Sequence, residues 1–187
     1  TGYPGIQVLL EVSNKRPEYF TSTDIAFAIA PRLNAAGRLA DMTLGVRLLL
    51  SEDPEEAKQL ATELNAINDR RREIQAEMVY NAESLVDVMP VSTRKGVVVY
   101  QTSWHHGVVG LVASKLKESL HRPIVAFAPA DESAVEVRGS CRSIPGFHLR
   151  DALALIDARH PGLILKFGGH AMAAGLSLRT VDIPVFQ

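Results

Sequence analysis

The sequence of 187 residues has one cysteine, one tryptophan and no long apolar run. The single cysteine, Cys141, excludes an internal disulfide and a zinc site made of cysteines, which suits a reducing cytosol. No stretch approaches the roughly 18 apolar residues of a membrane span, and no basic, then apolar leader is present. A net charge of −1 gives no global attraction to a polyanion. We therefore expect a cytoplasmic protein with no membrane partner, in which any anion is bound by a local patch.

Motifs of hydrolytic metal sites and of serine nucleophiles are also missing. A metal site needs several converging carboxylates or histidines, commonly seen as DxD, DHH, HxH or HExxH, and none of these occurs. His105 and His106 are adjacent, so we expect their side chains to diverge and to chelate poorly. No GxSxG elbow is found. The sequence predicts no metal cage made by this chain alone.

The first 50 residues combine short helical patterns with loops. Helices are predicted at GIQVLLEV, at TSTDIAFAIA and around TLGVRLLL, the second with Ser22, Thr23 or Asp24 as its N-cap. The segment PRLNAAGRLADM between them is predicted to be a loop. In it, Asn34 and Gly37 would supply left-handed turn geometry, which leaves a capped turn and a phosphate site equally open.

A long helix is predicted from Pro54 to about Met89. Ser51 or Asp53 can cap it, and Glu55 and Glu56 suit the positive end of its dipole. The segment has no glycine and no internal proline, and its apolar residues recur at steps near three, four and seven. At about 1.5 Å per residue it forms a rod of roughly 50 Å, which favours a connector between two lobes. The arginine triplet at 70–72 is interpreted as a solvated face.

After Pro90 the pattern changes to a mixed α/β lobe. Alternation of strand and helix at its start predicts a parallel β-α-β unit, and the closely spaced later strands predict an antiparallel part. Strands are predicted at residues 96–100, 123–127, 134–140, 163–167 and 174–178, with helices at 107–120 and 149–158.

One stretch of this lobe is rich in groups that bind anions. Arg138, Ser140, Arg142 and Ser143 follow one another in VRGSCRSIPGFHLRD, with no acid between Val137 and Arg150. If residues 134–140 form a strand, Ser140 and Arg142 point to the same side, so that a hydroxyl and a guanidinium can hold one phosphate. Solvated arginines at a strand end are the competing interpretation.

Three further segments are candidate anion sites. His105 and His106 precede a helix start with two glycines, where they can donate, and Trp104 is interpreted as a core anchor. Arg32 and Arg38 flank Asn34 in the predicted loop. In KFGGHAMAAG, Gly168 and Gly169 let an anion approach the backbone beside His170, and a helix beginning at AMAA would add free amides. The alternative there is a tight turn.

Six ordered segments together resemble the single-stranded-DNA-specific exonucleases of the DHH phosphoesterase family: PRLNAAGRLADM, LNAINDRRREI, SWHHGVVGLVASKL, RPIVAFAPA, GSCRSIPGFHLRDAL and KFGGHAMAAGLSL. The resemblance implies an α/β enzyme of two lobes. Residues 1–50 would end the DHH lobe, 51–90 would be the connecting helix, and 91–187 most of the DHH-associated substrate-binding domain. The manganese or magnesium ligands would lie upstream, so hydrolysis by this chain alone is not expected.

The resemblance also implies roles for individual residues. Ser140 and Arg142, with Ser143 as a third candidate, would hold the 5′-terminal phosphate of single-stranded DNA during 5′ to 3′ hydrolysis. Arg32 or Arg38 would contact a backbone phosphate. Gly168, Gly169 and His170 would lie at the phosphate close to the metals, with His170 donating to an oxygen whose charge grows in the transition state.

Alternatives stay open at this point. A relative that cleaves oligoribonucleotides or cyclic dinucleotides would use the same glycine-histidine segment. A second alternative is that the chain is a non-catalytic module that binds nucleic acid or protein. A helicase or a single-strand-binding protein is the expected kind of protein partner in DNA recombination and repair.

Overall fold

A computed structural model of the chain describes residues 3–90 and 94–187. Residues 1–2, in the segment predicted to end the DHH lobe, and residues 91–93, at the start of the predicted DHH-associated domain, lie outside these ranges. The chain divides into two compact units, one ending at Glu73 and the other beginning at Ile74. The predicted domain boundaries near residues 50 and 90 stay predictions.

The first unit is helical. Its core includes Leu9, Leu48 and Leu64, which are fully buried. The N-cap of the second helix is Thr21, whose hydroxyl accepts from the Asp24 amide while the Asp24 carboxylate accepts from the Thr21 amide. The prediction of Ser22, Thr23 or Asp24 as this cap is wrong by one residue or more, because Asp24 supplies the reciprocal carboxylate of a capping box. The helices are α1 Pro4–Val12, α2 Ser22–Asp24, α3 Ala30–Leu39 and α4 Thr43–Leu50, with a 3-10 turn at Pro17–Tyr19 and a π-helical segment at Ile25–Ile29.

The predicted loop PRLNAAGRLADM is wrong, since most of it lies in α3. Ala35 and Ala36 are fully buried on one side of this helix. Pro31 lies in its first turn, where the missing amide hydrogen is tolerated. Asn34 and Gly37 are helical and not left-handed. Burial of Ala35 and Ala36 therefore outweighs the preference of Asn34 and Gly37 for turns.

The long helix is confirmed as α5, Pro54–Asp87, of 34 residues. Asp53 begins it, because its carboxylate accepts the amide hydrogen of Glu55 at 2.9 Å. Leu60 and Leu64 pack in the core of the first unit, and Met78 is buried further along the helix.

The second unit is built on a mixed sheet of five strands in the order β1-β2-β3-β5-β4. The first two strands are parallel and are joined through α6, and all other pairs are antiparallel, which confirms the predicted α/β class and its two parts. The strands are β1 Val97–Tyr100, β2 Ile124–Pro129, β3 Glu136–Arg142, β4 Lys166–Gly169 and β5 Ala173–Arg179; the helices are α6 Val109–Leu120, α7 Leu149–Arg159 and α8 Ile183–Phe186.

The two faces of the sheet differ. On one face Val137 and Cys141 of β3 pack with Leu149 and Leu153 of α7 in the hydrophobic core. Burial raises the pKa of the Cys141 thiol to about 12, so this thiol is neutral at pH 7. Because side chains alternate along a strand, the residues between these core positions lie on the opposite face, where α6 contacts β2 and β3.

Candidate phosphate-binding site

Arg142 and Ser140 lie together on the face of the sheet that α6 partly covers. The Nε of Arg142 donates to the Ser114 hydroxyl at 3.1 Å, and its Nη1 donates to the Ser140 hydroxyl at 2.9 Å and to the Cys141 carbonyl at 2.8 Å. The predicted placement of Ser140 and Arg142 on one side of the strand is confirmed. A guanidinium and two hydroxyls from β3 and α6 thus converge at one point.

The first turn of α6 borders this cluster through Gly110. A Cβ atom at this position would lie 3.0 Å from Nη2 of Arg142 and 3.0 Å from the Ser140 hydroxyl. The helix has no acidic residue in its first turn and no side-chain cap. The positive end of a 12-residue helix therefore lies against the guanidinium, and the missing side chain at position 110 allows this close approach.

Ser143, the third candidate for this phosphate, is 1% exposed. Its hydroxyl donates to the Phe147 carbonyl at 2.6 Å, which closes the loop between β3 and α7. This hydrogen bond uses the one donor that the hydroxyl has. The structure therefore favours a role for Ser143 in holding the loop.

The segment with Gly168, Gly169 and His170 forms a hairpin between β4 and β5. The His170 amide donates to the Ala173 carbonyl at 2.8 Å, so the tight-turn interpretation is confirmed and the helix at AMAA is wrong. The physical reason is Gly169, whose φ of +143° turns the chain back; a Cβ there would lie 2.4 Å from Ala174 Cα.

His170 is exposed at the tip of this hairpin. Ala173 pairs with Arg142 across the β3–β5 ladder, which brings the tip to the end of the sheet where Arg142 lies. Gly168 pairs with Gly175, and no atom lies within 4 Å of a Cβ built on Gly168. Of the two predicted glycines, Gly168 thus leaves the backbone accessible, whereas Gly169 is required by the turn.

The histidine pair lies in the loop before α6. Trp104 is 4% exposed, which confirms it as a core residue. The His105 and His106 rings stack with centroids 5.0 Å apart, so the predicted divergence is wrong; the His105 Nδ1 accepts the Gly107 amide hydrogen, which folds the loop tightly. Burial, then the charges of His105 and Arg138, lower the pKa of His106 from its ordinary value. His106 therefore lies within electrostatic reach of Arg138.

An open groove lies on the same face, over β3, β5 and β4. Its volume is about 420 Å³, and its polar lining includes Arg138, Lys166 and Ser177, with Gly168 and Gly175 beside them. Sequence reasoning missed Lys166 and Ser177. The alternation of side chains along β4 and β5 could have identified them. Lys166 is two residues from Gly168, and Ser177 is two residues from Gly175, so each lies on the same face as its glycine.

The remaining candidates lie in the helical unit. Arg32 is 9% exposed and donates to the Asn65 side chain at 2.8 Å and to the Ala28 carbonyl at 2.6 Å. Asn34 is exposed on α3. These hydrogen bonds favour a structural role for Arg32.

Arg38 belongs to a cluster of arginines on α3 and α5. Burial, followed by repulsion from Arg72 and Arg38, lowers the pKa of Arg71. Burial and the charge of Arg72 do the same to the pKa of Arg32. Arg70 and Arg72 are exposed and form ion pairs with Glu73 and Asp69, in agreement with a solvated face at these two positions. Arg71 is partly buried, within electrostatic reach of Arg38.

Over residues 3–90 and 94–187, no group of three or more His, Cys, Asp or Glu side chains is arranged to hold a metal ion. Among the helices that the structure describes, none combines the length and apolar character that a bilayer crossing requires.

Comparison with known proteins identifies relatives for nearly the whole chain. The DHHA1 domain matches residues 93–186. The single-stranded-DNA-specific exonuclease RecJ of Dickeya dadantii is 53% identical over 178 residues, which are 94% of this chain and 31% of that protein. The Escherichia coli protein of the same name is 49% identical, over 98% of this chain and 32% of its own length. The chain spans about a third of the length of these curated relatives.

Solved structures agree with these relatives. The crystal structure of RecJ from Thermus thermophilus in complex with Mg²⁺ superposes with a TM-score of 0.84 at 31% identity. The match covers 100% of this chain and 27% of the other chain. A second structure of that protein, in complex with Mn²⁺, gives the same TM-score.

Proposed function

Because the chain belongs to the DHHA1 domain family, we propose that it is the substrate-binding part of a single-stranded-DNA-specific exonuclease that degrades its strand from the 5′ end. The proposal extends to the longer protein the activity that the names of its relatives state. DNA repair and recombination are the processes in which such an activity would serve.

One observation carries the proposal: the partly buried cluster of Arg142, Ser140, Ser114 and Gly110 between the sheet and α6. A terminal phosphate has more negative charge and more free oxygens than an internal phosphodiester. A guanidinium held by two hydroxyls presents donors in a fixed direction, and the start of α6 adds positive potential. This arrangement suits a 5′-terminal phosphate.

The hairpin tip would act on the neighbouring phosphate. Gly168 lets the strand approach the backbone of β4, and the exposed His170 would donate a hydrogen bond to a phosphate oxygen as its charge grows. Replacement of His170 by alanine in the longer protein should lower kcat much more than it weakens binding. Unchanged turnover would remove His170 from the chemistry.

Manganese or magnesium is proposed as the cofactor of the longer protein. One of the two Thermus thermophilus structures is a complex with Mg²⁺ and the other a complex with Mn²⁺. The side chains described in this chain do not fit a metal ion, so no step through a metal is derived from them. Inactivity of this chain alone, a cytoplasmic location, and a helicase or single-strand-binding protein as partner stay predictions.

The proposal is tested by a fluorescence titration of the 187-residue chain with two single strands that differ only in a 5′ phosphate. We expect the phosphorylated strand to bind roughly tenfold or more tightly, as a hydrogen-bonded charge pair predicts, and the difference to shrink as salt rises. Arg142→Ala should abolish the difference. Arg159→Ala, on α7, should preserve it. Equal binding of both strands by the unmodified chain would contradict the proposal and favour a general interaction module.

A further inference from the structure

A row of polar side chains crosses three strands on the open face of the sheet. Ser177 of β5 pairs with Arg138 of β3 on one side and with Lys166 of β4 on the other. Paired residues of a ladder project from the same face, so all three side chains lie on the face that also carries Ser140 and Arg142. Arg138 and Lys166 both line the groove of about 420 Å³.

The next row towards Arg142 has almost no side chains. It consists of Ser140, Gly175 and Gly168, which pair across the same strands. A Cβ on Gly168 would meet no atom within 4 Å, and one on Gly175 would meet only the Gly139 carbonyl oxygen at 3.7 Å. The floor of the groove is therefore exposed backbone between the row of Arg138 and Lys166 and the side chain of Arg142, and a chain of phosphates can lie on it close to the sheet.

The two cations of the row are exposed and are not neutralised by a salt bridge. Neither forms an ion pair within the described ranges 3–90 and 94–187. The charge of Arg138 acts on the carboxylate of Asp131 and on the imidazole of His106, and it lowers the pKa of both groups. The row thus has a net positive charge, in contrast to the chain as a whole.

We propose that Arg138 and Lys166, on either side of Ser177, form a second phosphate subsite that binds an internal phosphodiester of the strand whose 5′-terminal phosphate lies at Arg142. Arg142 and Arg138 are four residues apart on β3, which is about 14 Å along a strand. The subsite would hold the strand in register over the glycine floor. This inference rests on the proposed function and adds to it the path of the strand away from its 5′ end.

A structural role for Lys166 is the main competitor. It lies on β4, an edge strand of the sheet, and lysine on an edge strand prevents pairing with other chains. Such a role requires no contact with a phosphate. The two roles therefore differ in whether Lys166 is coupled to one particular phosphate of a bound strand.

The experiment is a double-mutant cycle on the 187-residue chain. The ligand is a 5′-phosphorylated single strand in which one internal phosphate at a time is replaced by a neutral methylphosphonate. The proteins are the unmodified chain, Lys166→Ala, Arg138→Ala and, as a matched control, Lys115→Ala on the exposed side of α6. Affinity is measured at several salt concentrations.

We expect Lys166→Ala and Arg138→Ala each to weaken binding about fivefold to tenfold and to reduce the slope of log affinity against log salt by about 0.7. At one internal position, the methylphosphonate should weaken binding by the unmodified chain about fivefold to tenfold as well. At that position it should not further weaken binding by Lys166→Ala. The 5′-phosphate preference should persist in both variants, and Lys115→Ala should behave as the unmodified chain.

The outcomes separate the two proposals. If the unmodified chain has no 5′-phosphate preference, the proposed function fails. If that preference is present but Lys166→Ala and Arg138→Ala bind as Lys115→Ala does, only the second subsite fails. Weakening that is the same for every methylphosphonate position also overturns the subsite, because it shows a diffuse charge effect.

Discussion

The close packing of Arg142 and Ser140 against Gly110 allows a test that adds a single methyl group to the candidate phosphate site. In Gly110→Ala, the new Cβ would lie 3.0 Å from Nη2 of Arg142 and from the hydroxyl of Ser140, where ordinary contacts are 3.4–4 Å. The guanidinium must therefore shift by a few tenths of an ångström away from its position beside Ser114 and Ser140. That shift displaces the donors that the terminal phosphate would meet.

The expected cost falls on binding and not on folding. Alanine is better than glycine in a helix by up to about 1 kcal/mol, which offsets the strain of the small displacement. Loss of one hydrogen bond to a charged group costs about 1.5 kcal/mol, or roughly tenfold in affinity. Gly110→Ala should thus lose about tenfold in affinity for a 5′-phosphorylated strand and little for the unphosphorylated strand.

The assay is a fluorescence anisotropy titration with both strands at one salt concentration, with thermal unfolding of each protein measured in parallel. Gly45→Ala in α4 is a matched control, because its Cβ would lie 3.4 Å from a Leu33 methyl group, an ordinary contact in the helical unit. If Gly110→Ala folds as the unmodified chain does and keeps its full preference for the 5′ phosphate, the phosphate does not bind between α6 and Arg142.

Three further predictions concern other parts of the chain. Gly169→Ala should lower the free energy of unfolding by about 2 kcal/mol or more in urea denaturation, because of its positive φ and its backbone overlap, while Gly168→Ala should change it little; equal effects would contradict the assigned turn. A bound phosphate beside Arg138 should raise the pKa of His106, which an NMR titration measures with and without the strand. Affinity for the strand should then rise as pH falls through the pKa of the bound state. An unchanged pKa would place the anion elsewhere. Arg32→Met should destabilise the helical unit by about 2 kcal/mol without altering the 5′-phosphate preference; a stable protein that binds DNA poorly would instead favour a phosphate contact by Arg32.

The sequence predicted the strands more accurately than the first helices. The alternation in β3 placed Ser140 and Arg142 on one face correctly, because the period of two is a local property of an extended chain. The loop expected at PRLNAAGRLADM is a helix in which Ala35 and Ala36 are fully buried, and Ala36 packs in a core formed by residues distant in sequence. Turn preferences of single residues are weak compared with such burial.

What the sequence determined by itself was therefore the long helix, most elements of the second unit, the α/β class and the chemical character of the candidate groups. Which of these groups lie next to one another was decided only by the tertiary structure. Ser114 and Gly110 reach Arg142 through the crossover of α6, and Lys166 joins the row of Arg138 through the register of β5 between them. Register and crossover depend on pairing and packing between segments far apart in the chain, and no local pattern specifies which residues they bring together.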